Sequence, residues 1–269
     1  MKLGFWTRIS LRTVALAYIF VLLVVPLGII LMRTFEHGIG AFFDSISTPA
    51  AISAFNLTMQ IVAITVPVNV IFGVIVALAL VRGRFPGRNL LQGVVDLPMA
   101  TSPVVVGVSL ILLWGAHGWF GGLDSHGLKI IFNLPGMVIA TIFVTLPFVV
   151  REVEPVLHEI GDDQEQAAAT LGASGWQTFW RITLPAIRWG LTYGIVLTVA
   201  RALGEFGAVI MVSTGLPGKS QTLTLLVNGR YVNDHNTFGA YCAATLLMGI
   251  ALVVLLLMTL LERKRGTAK

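Results

Sequence analysis

Three stretches of this chain, residues 13–32, 57–81 and 238–261, contain no Asp, Glu, Lys or Arg. A helix crosses the hydrocarbon of a bilayer with about 20 residues. No water is present there to satisfy free backbone groups, so an uncharged run of that length must close its own hydrogen bonds as a helix. Three further stretches fit the same pattern. Residues 134–150 are also free of charge, 89–114 carry only Asp96, and 189–213 carry only Arg201 and Glu205. With 56% hydrophobic and 12% charged residues, the chain has roughly half the charge of a soluble domain, for which about 25% is usual. The sequence therefore predicts an all-α polytopic membrane protein with six transmembrane helices and no soluble domain.

Lys2, Arg8 and Arg12 precede the first stretch in the manner of a secretory signal. The stretch is too long for a signal's apolar core, and no small-x-small cleavage site follows closely, so it reads as a retained helix. Thirteen of the eighteen Lys and Arg fall in the first tail, residues 82–88, residues 151–188 and the last tail. Cationic loops stay cytoplasmic, which predicts both termini inside. The net charge of +5 follows from this topology and calls for no nucleic-acid partner. The single cysteine, Cys242, excludes an internal disulfide and a cysteine metal cluster, and reads as a packing residue. His117, His126, His158 and His235 show no metal-ligand spacing.

External connections are expected at 33–56, 115–133 and 214–237, the first apolar enough in "FFDSISTPAAISAF" to lie partly along the interface. Pro26, Pro67, Pro98, Pro103 and Pro147 fall within spans. Each removes a backbone donor, so kinks or short breaks are expected there.

The connection 151–188 has 38 residues, far more than joining two helices requires. Asp162 and Glu165 have capping-box spacing, "QEQAAATL" is rich in helix formers, and Gly172 sits where a left-handed cap belongs. Ser174 and Gln177 repeat the capping-box spacing, Trp176, Phe179 and Trp180 share one face, and Pro185 is expected to close this second helix. The first helix presents Ala167, Ala168 and Ala169, side chains small enough for another backbone to approach closely. A short helix of this kind suits a groove on a partner; Trp176, Trp180 and Trp189 also suit headgroup anchors.

The stretch resembles the EAA loop of bacterial ABC-importer permeases, in which a glycine is followed downstream by I-x-L-P. Here Gly172 is followed by Ile182, Leu184 and Pro185 at that spacing. The position that usually holds the family's glutamate is Gln166, with Glu165 one place earlier. "TVARALGEFGAVIMVSTGLPGKSQTL" (198–223) and "DLPMATSPVVVGVSLILLWG" (96–115) are similar to helices five and three of sulfate and molybdate permeases. "ARALGEFGAV" and the ending "TLLERKR" incline toward the W-type sulfate/thiosulfate subunit.

The resemblance implies the type I importer permease fold and a bacterial inner-membrane location. It implies a second homologous permease subunit as heterodimer partner, two cytoplasmic ATPase subunits that bind ATP and Mg, an extracytoplasmic sulfate-binding protein and surrounding lipid. It also implies that Glu165, Gln166, Ala167, Ala168, Leu171, Gly172, Ile182, Leu184 and Pro185 belong to the ATPase-docking loop.

Arg201 and Glu205 stand four apart on one helix face. Ionisable groups inside a membrane are costly and often functional. The pair reads either as a self-neutralising structural bridge or as part of an anion pathway. Asp96 is expected to pair near the inner interface, and Gly190 and Gly194 form a GxxxG contact motif. "GLPGKS" (215–220) imitates part of a Walker A loop, but Ser213 stands where its first glycine belongs. With no nucleophile–base pair or metal constellation, the chain reads as a non-catalytic subunit. The rival readings are a molybdate or tungstate permease and an ion-coupled secondary transporter, which would have no use for a docking loop.

Overall fold

The computed structural model describes residues 5–122 and 129–266. Lys2, His126 and Lys269 lie outside them. Every regular element among the described residues is helical. Helix α1 (Phe5–Ile19, a π turn at Phe20–Val24, then Val25–Phe35) leads to the short α2 (Gly38–Ile46) and the long α3 (Pro49–Arg82). Next come α4 (Arg88–Ala100), α5 (Pro103–Trp114), α6 (Leu134–Ile160) and α7 (Asp163–Thr170). Helix α8 runs Gly175–Leu203, followed by α9 (Gly207–Val212), α10 (Leu223–Asn228) and α11 (Thr237–Gly266).

Among the described residues five helices are each long and apolar enough to span a bilayer, and α4 with α5 passes the same test as a pair bent by 113°. The contacts decide how to count that pair. Arg82, ending α3, donates to the carbonyls of Leu157 and Gly161 at the end of α6. Both long helices thus finish at the same end of the bundle, and the chain must cross back between them. The bent pair is that crossing, which makes six.

Most spans are longer than the apolar runs indicate. Helix α3 begins at Pro49 instead of residue 57, and α6 continues to Ile160, ten residues past its uncharged run. Charged residues end an apolar run without ending a helix. The connection expected over 151–188 accordingly shrinks to the segment between Ile160 and Gly175, with α7 inside it.

The stretch 89–114 is not one helix. Thr101 and Ser102 are extended ahead of Pro103, because the proline ring excludes helical backbone from the residue before it. The stretch 189–213 also breaks, at Gly204–Phe206. Pro67, Pro98 and Pro147 sit inside continuous helices. Pro185 does not stop its helix either. A π turn at Phe179–Thr183 precedes it, with the Leu184 N–H bonded to the Phe179 carbonyl, and the helix continues to Leu203.

Helix α6 is the centre of the bundle, with Met137, Val149, Val150, Val153 and Leu157 fully buried. Its neighbours approach through small residues. A Cβ on Gly73 of α3 would lie 2.6 Å from Val149 Cγ1, and one on Gly194 of α8 would lie 2.9 Å from Val149 Cα. Gly190 meets the Glu152 carbonyl at 2.6 Å in the same sense, so the GxxxG spacing does form a helix contact. Asn69 adds a side-chain bond from α3 to Thr145 of α6 at 2.6 Å.

Arg82, Arg84, Arg88, Arg151, Arg181 and Arg188 gather at one end of the bundle, here called the basic end. At the opposite end the Leu223 N–H donates to Thr58. Arg230, only 8% exposed, donates there to Ser45 O, Thr48 Oγ1 and Gly239 O. Burial lowers its pKa from the ordinary guanidinium value. Helix α1 stands apart and is tied to α11 by Thr34···Thr245 at 2.7 Å.

The Gly194 contact gives a direct test. Gly194→Val should destabilise the detergent-solubilised chain by about 1–3 kcal/mol, the usual cost of overpacking, read as a lower thermal midpoint. Gly249→Val, where a Cβ meets nothing within 4 Å, should leave the midpoint unchanged.

Candidate functional site

Two places in the bundle concentrate polar chemistry: the short connection at the basic end, and the pair of helix breaks in α4–α5 and α8–α9.

At the basic end α7 projects from the bundle with no buried residue. It ends in a left-handed cap at Gly172, φ +83°. The Ala173 N–H bonds the Ala168 carbonyl and the Gly172 N–H bonds that of Ala169, both at 3.0 Å. This is a Schellman closure. The expected capping box at Asp162 is absent, since that side chain makes no cap bond. The box at Ser174 is present in full, with the Ser174 N–H on Gln177 Oε1 at 2.9 Å and the Gln177 N–H on Ser174 Oγ at 3.3 Å. Trp176 and Phe179 stack and Trp180 meets both edge-on, with ring centroids 5.5–6.3 Å apart. They line an apolar groove with Val70, Ile71 and Val74 of α3.

The residues expected in the docking loop divide. Gln166, Ala167, Leu171 and Gly172 are exposed, and Leu171 shows 88% of its surface at the tip. Ala168 is half-buried. Glu165 turns inward: Oε2 accepts from Arg82 Nε at 3.0 Å and Oε1 from Thr183 Oγ1 at 2.7 Å. Leu184 packs against the lower core with Val74, Ala77 and Ile187. Ile182 lies half-buried in the π turn and Pro185 is exposed one turn on. These three form the elbow at which connection becomes membrane helix. Asp96 pairs with Arg151 of α6, Nε at 3.0 Å, and not with the nearer arginines of residues 82–88.

In the second place, Arg201 and Glu205 form the expected ion pair, Nη1 to Oε2 at 2.7 Å. Its setting is the break in α8, which the uninterrupted apolar run conceals. Glu205, 1% exposed, also caps α9 by accepting the Ala208 N–H at 2.7 Å. Its backbone carbonyl accepts from Thr224 at 2.9 Å. Arg201 keeps 32% of its side chain exposed. The other break abuts this one: a Cβ on Gly207 would lie 3.1 Å from Pro103 Cβ, at the start of α5. The starts of α5 and α9 therefore meet, and the carboxylate that occupies the α9 N-terminus is the one that pairs with Arg201.

The Walker-like segment 215–220 lies far from α7, at the end of α9. Its Ser220 is buried and engages Ser213 and Thr214. Neither oxygen is presented in the manner of a phosphate cradle, and the next helix starts only at Leu223. Two residues of consequence had weak sequence signals. Arg82 reads only as a loop charge, and Asn69 is an uncharged amide deep in an apolar run.

A known family covers most of this architecture. The binding-protein-dependent transport system inner membrane component matches residues 69–267. The chain belongs to that family. It is 48% identical to the sulfate transport system permease protein CysW of Synechococcus elongatus, over 96% of this chain and 90% of that one. Against CysW of Escherichia coli K12 the identity is 45%, over 96% and 88%. Against the CysT permease of Synechocystis it is 34%, over 97% and 92%. The fold is similar to a chain of a bacterial ABC transporter that imports alginate, with a TM-score of 0.79 over 96% of each chain at 18% identity.

Removing Arg201 would leave Glu205 buried without its counter-charge. Breaking a buried pair from one side costs about 3–5 kcal/mol, and the partial exposure of Arg201 puts the expectation at the low end. Arg201→Ala should lower the thermal midpoint of the solubilised chain. Adding Glu205→Gln, which keeps an acceptor for the Ala208 N–H, should restore most of the loss.

Proposed function

We propose that the chain is the W-type permease subunit of an ATP-driven importer of sulfate and thiosulfate in a bacterial inner membrane. The single observation that carries this reading is near-full-length identity of 45–48% to CysW permeases. Identity to T-type permeases is 34–36%. The gap between the two levels favours a chain with its own type, paired with a T-type subunit in a heterodimer.

In this reading the basic end is cytoplasmic, and two ATPase subunits that bind ATP and Mg sit below it. Each receives one α7, with Gln166, Ala167 and the exposed Leu171 entering a cleft on the ATPase. ATP binding closes the ATPases and carries the docked helices together. The membrane helices then open toward the far end, where an extracytoplasmic binding protein delivers the anion. A full reversal between the two states requires about 5.5 kcal/mol of differential stabilisation, which nucleotide binding supplies.

Arg201 stands on the anion's route. Two features support this: its side chain is 32% exposed, and its partner Glu205 sits at a helix break, where discontinuous membrane helices commonly build binding sites. Glu205 tempers its hold, so the anion is released as well as bound.

Leu171→Asp and Ala167→Trp should abolish association with the ATPase subunits and reduce ATP-driven uptake to background in reconstituted vesicles. Binding protein loaded with sulfate or thiosulfate should stimulate ATP hydrolysis, and molybdate-loaded protein should not. Uptake driven by an ion gradient without ATP would overturn the reading in favour of a secondary transporter.

A further inference from the structure

We propose that Arg82 and Glu165, with Thr183, are the positioning residues that couple α7 to the membrane helices; the inference rests on the importer reading above. Helix α7 has no buried side chain. Between it and the bundle lies an open cleft of about 330 Å³, lined by Leu78, Glu165, Ala169, Phe179 and Thr183 among others. Apolar packing across that cleft is sparse, so a displacement of α7 reaches the bundle through the polar contacts that bridge it.

Those contacts converge on one guanidinium. Arg82 Nε donates to Glu165 Oε2 at 3.0 Å, Nη1 to the Leu157 carbonyl at 3.2 Å and Nη2 to the Gly161 carbonyl at 2.5 Å. The last turn of α3, the last turn of α6 and the first turn of α7 are thereby joined at a single residue. The other oxygen of Glu165 takes the Thr183 hydroxyl at 2.7 Å, which adds the π turn where α8 enters the membrane. The joint is sheltered, with Arg82 and Glu165 only 23% and 21% exposed, and charge-assisted bonds of this kind are the stronger sort. Three acceptors in different directions require the planar fork of arginine; lysine offers a point charge.

The joint also satisfies carbonyls at the end of α6, a role any helix terminus needs filled. A capping role alone and a coupling role differ in what they predict. Loss of a cap lowers the amount of folded complex and leaves each remaining complex normal. Loss of the joint leaves the ATPases attached and turning over while the membrane helices follow poorly.

The test uses this chain assembled with its permease partner, ATPase subunits and binding protein in liposomes, with ATP hydrolysis and sulfate uptake measured side by side. Wild type must first show ATP-dependent uptake. Its failure there would sink the importer reading and leave the joint a matter of geometry only. In Glu165→Ala the ATPase subunits should remain bound and hydrolysis continue, while uptake per ATP falls about tenfold or more, as expected for loss of a charge-assisted bond. Arg82→Lys should fall in between. Thr183→Val, which keeps the shape and removes one hydroxyl, should lower the ratio several-fold, and it carries the test if Glu165→Ala does not assemble. A wild-type ratio in assembled Glu165→Ala or Thr183→Val complexes would overturn the proposal. So would release of the ATPase subunits by Glu165→Ala, which would make Glu165 a docking contact.

Discussion

In hydrocarbon, helices gain little by covering apolar surface, because lipid tails cover it equally well. What holds this bundle is how closely its backbones approach, and α6 is where they do. Gly73 admits Val149 from one side, and Gly190 and Gly194 receive the α6 backbone from the other. Asn69 fixes the register of α3 against Thr145. The three helices α3, α6 and α8 therefore form one tightly interlocked unit. That unit is what α7 hangs from, and in the proposed importer it is the part that would carry a movement from the basic end to the opposite one.

Around this unit the fold places its two irregularities side by side. The break before Pro103 and the break after Leu203 meet at the Pro103–Gly207 contact. Broken helices within a membrane are tolerated only where the freed backbone groups find partners. Here Glu205 supplies one, by accepting the Ala208 N–H. Glu205 thus serves three neighbours at once: a helix N-terminus through Oε1, a guanidinium through Oε2, and the Thr224 hydroxyl through its backbone carbonyl. A structural pair and a functional one are compatible readings of such a residue, since the same contacts that hold the break also orient Arg201.

The number of crossings and their approximate places were legible in the sequence because lipid imposes them directly. So were the Gly172 cap, the Ser174–Gln177 box and the Gly190–Gly194 contact, which are local or strictly periodic. Three things were not. Helix ends were misplaced at residues 150 and 189, because hydropathy reports where the membrane stops and not where the helix does. The breaks at Ser102 and Gly204 were hidden within apolar runs. Pro103 alone gave a hint, and it looked no different from Pro67 or Pro147, which leave their helices intact. The inward turn of Glu165 depends on Arg82, 83 positions away, a pairing that no spacing rule reaches. With α6 and α8 so extended, the length of the connection no longer argues for docking; the exposed Leu171 at its tip does.

If the interlocked helices convert motion at the basic end into opening at the far end, both ends must move together. Spin labels at Thr170 and at Leu216, each paired with the matching position on the permease partner, would report both ends of the same reconstituted complex. With ATP trapped, the Thr170 distance should shorten and the Leu216 distance should lengthen. A shortening at Thr170 with no change at Leu216 would contradict that coupling.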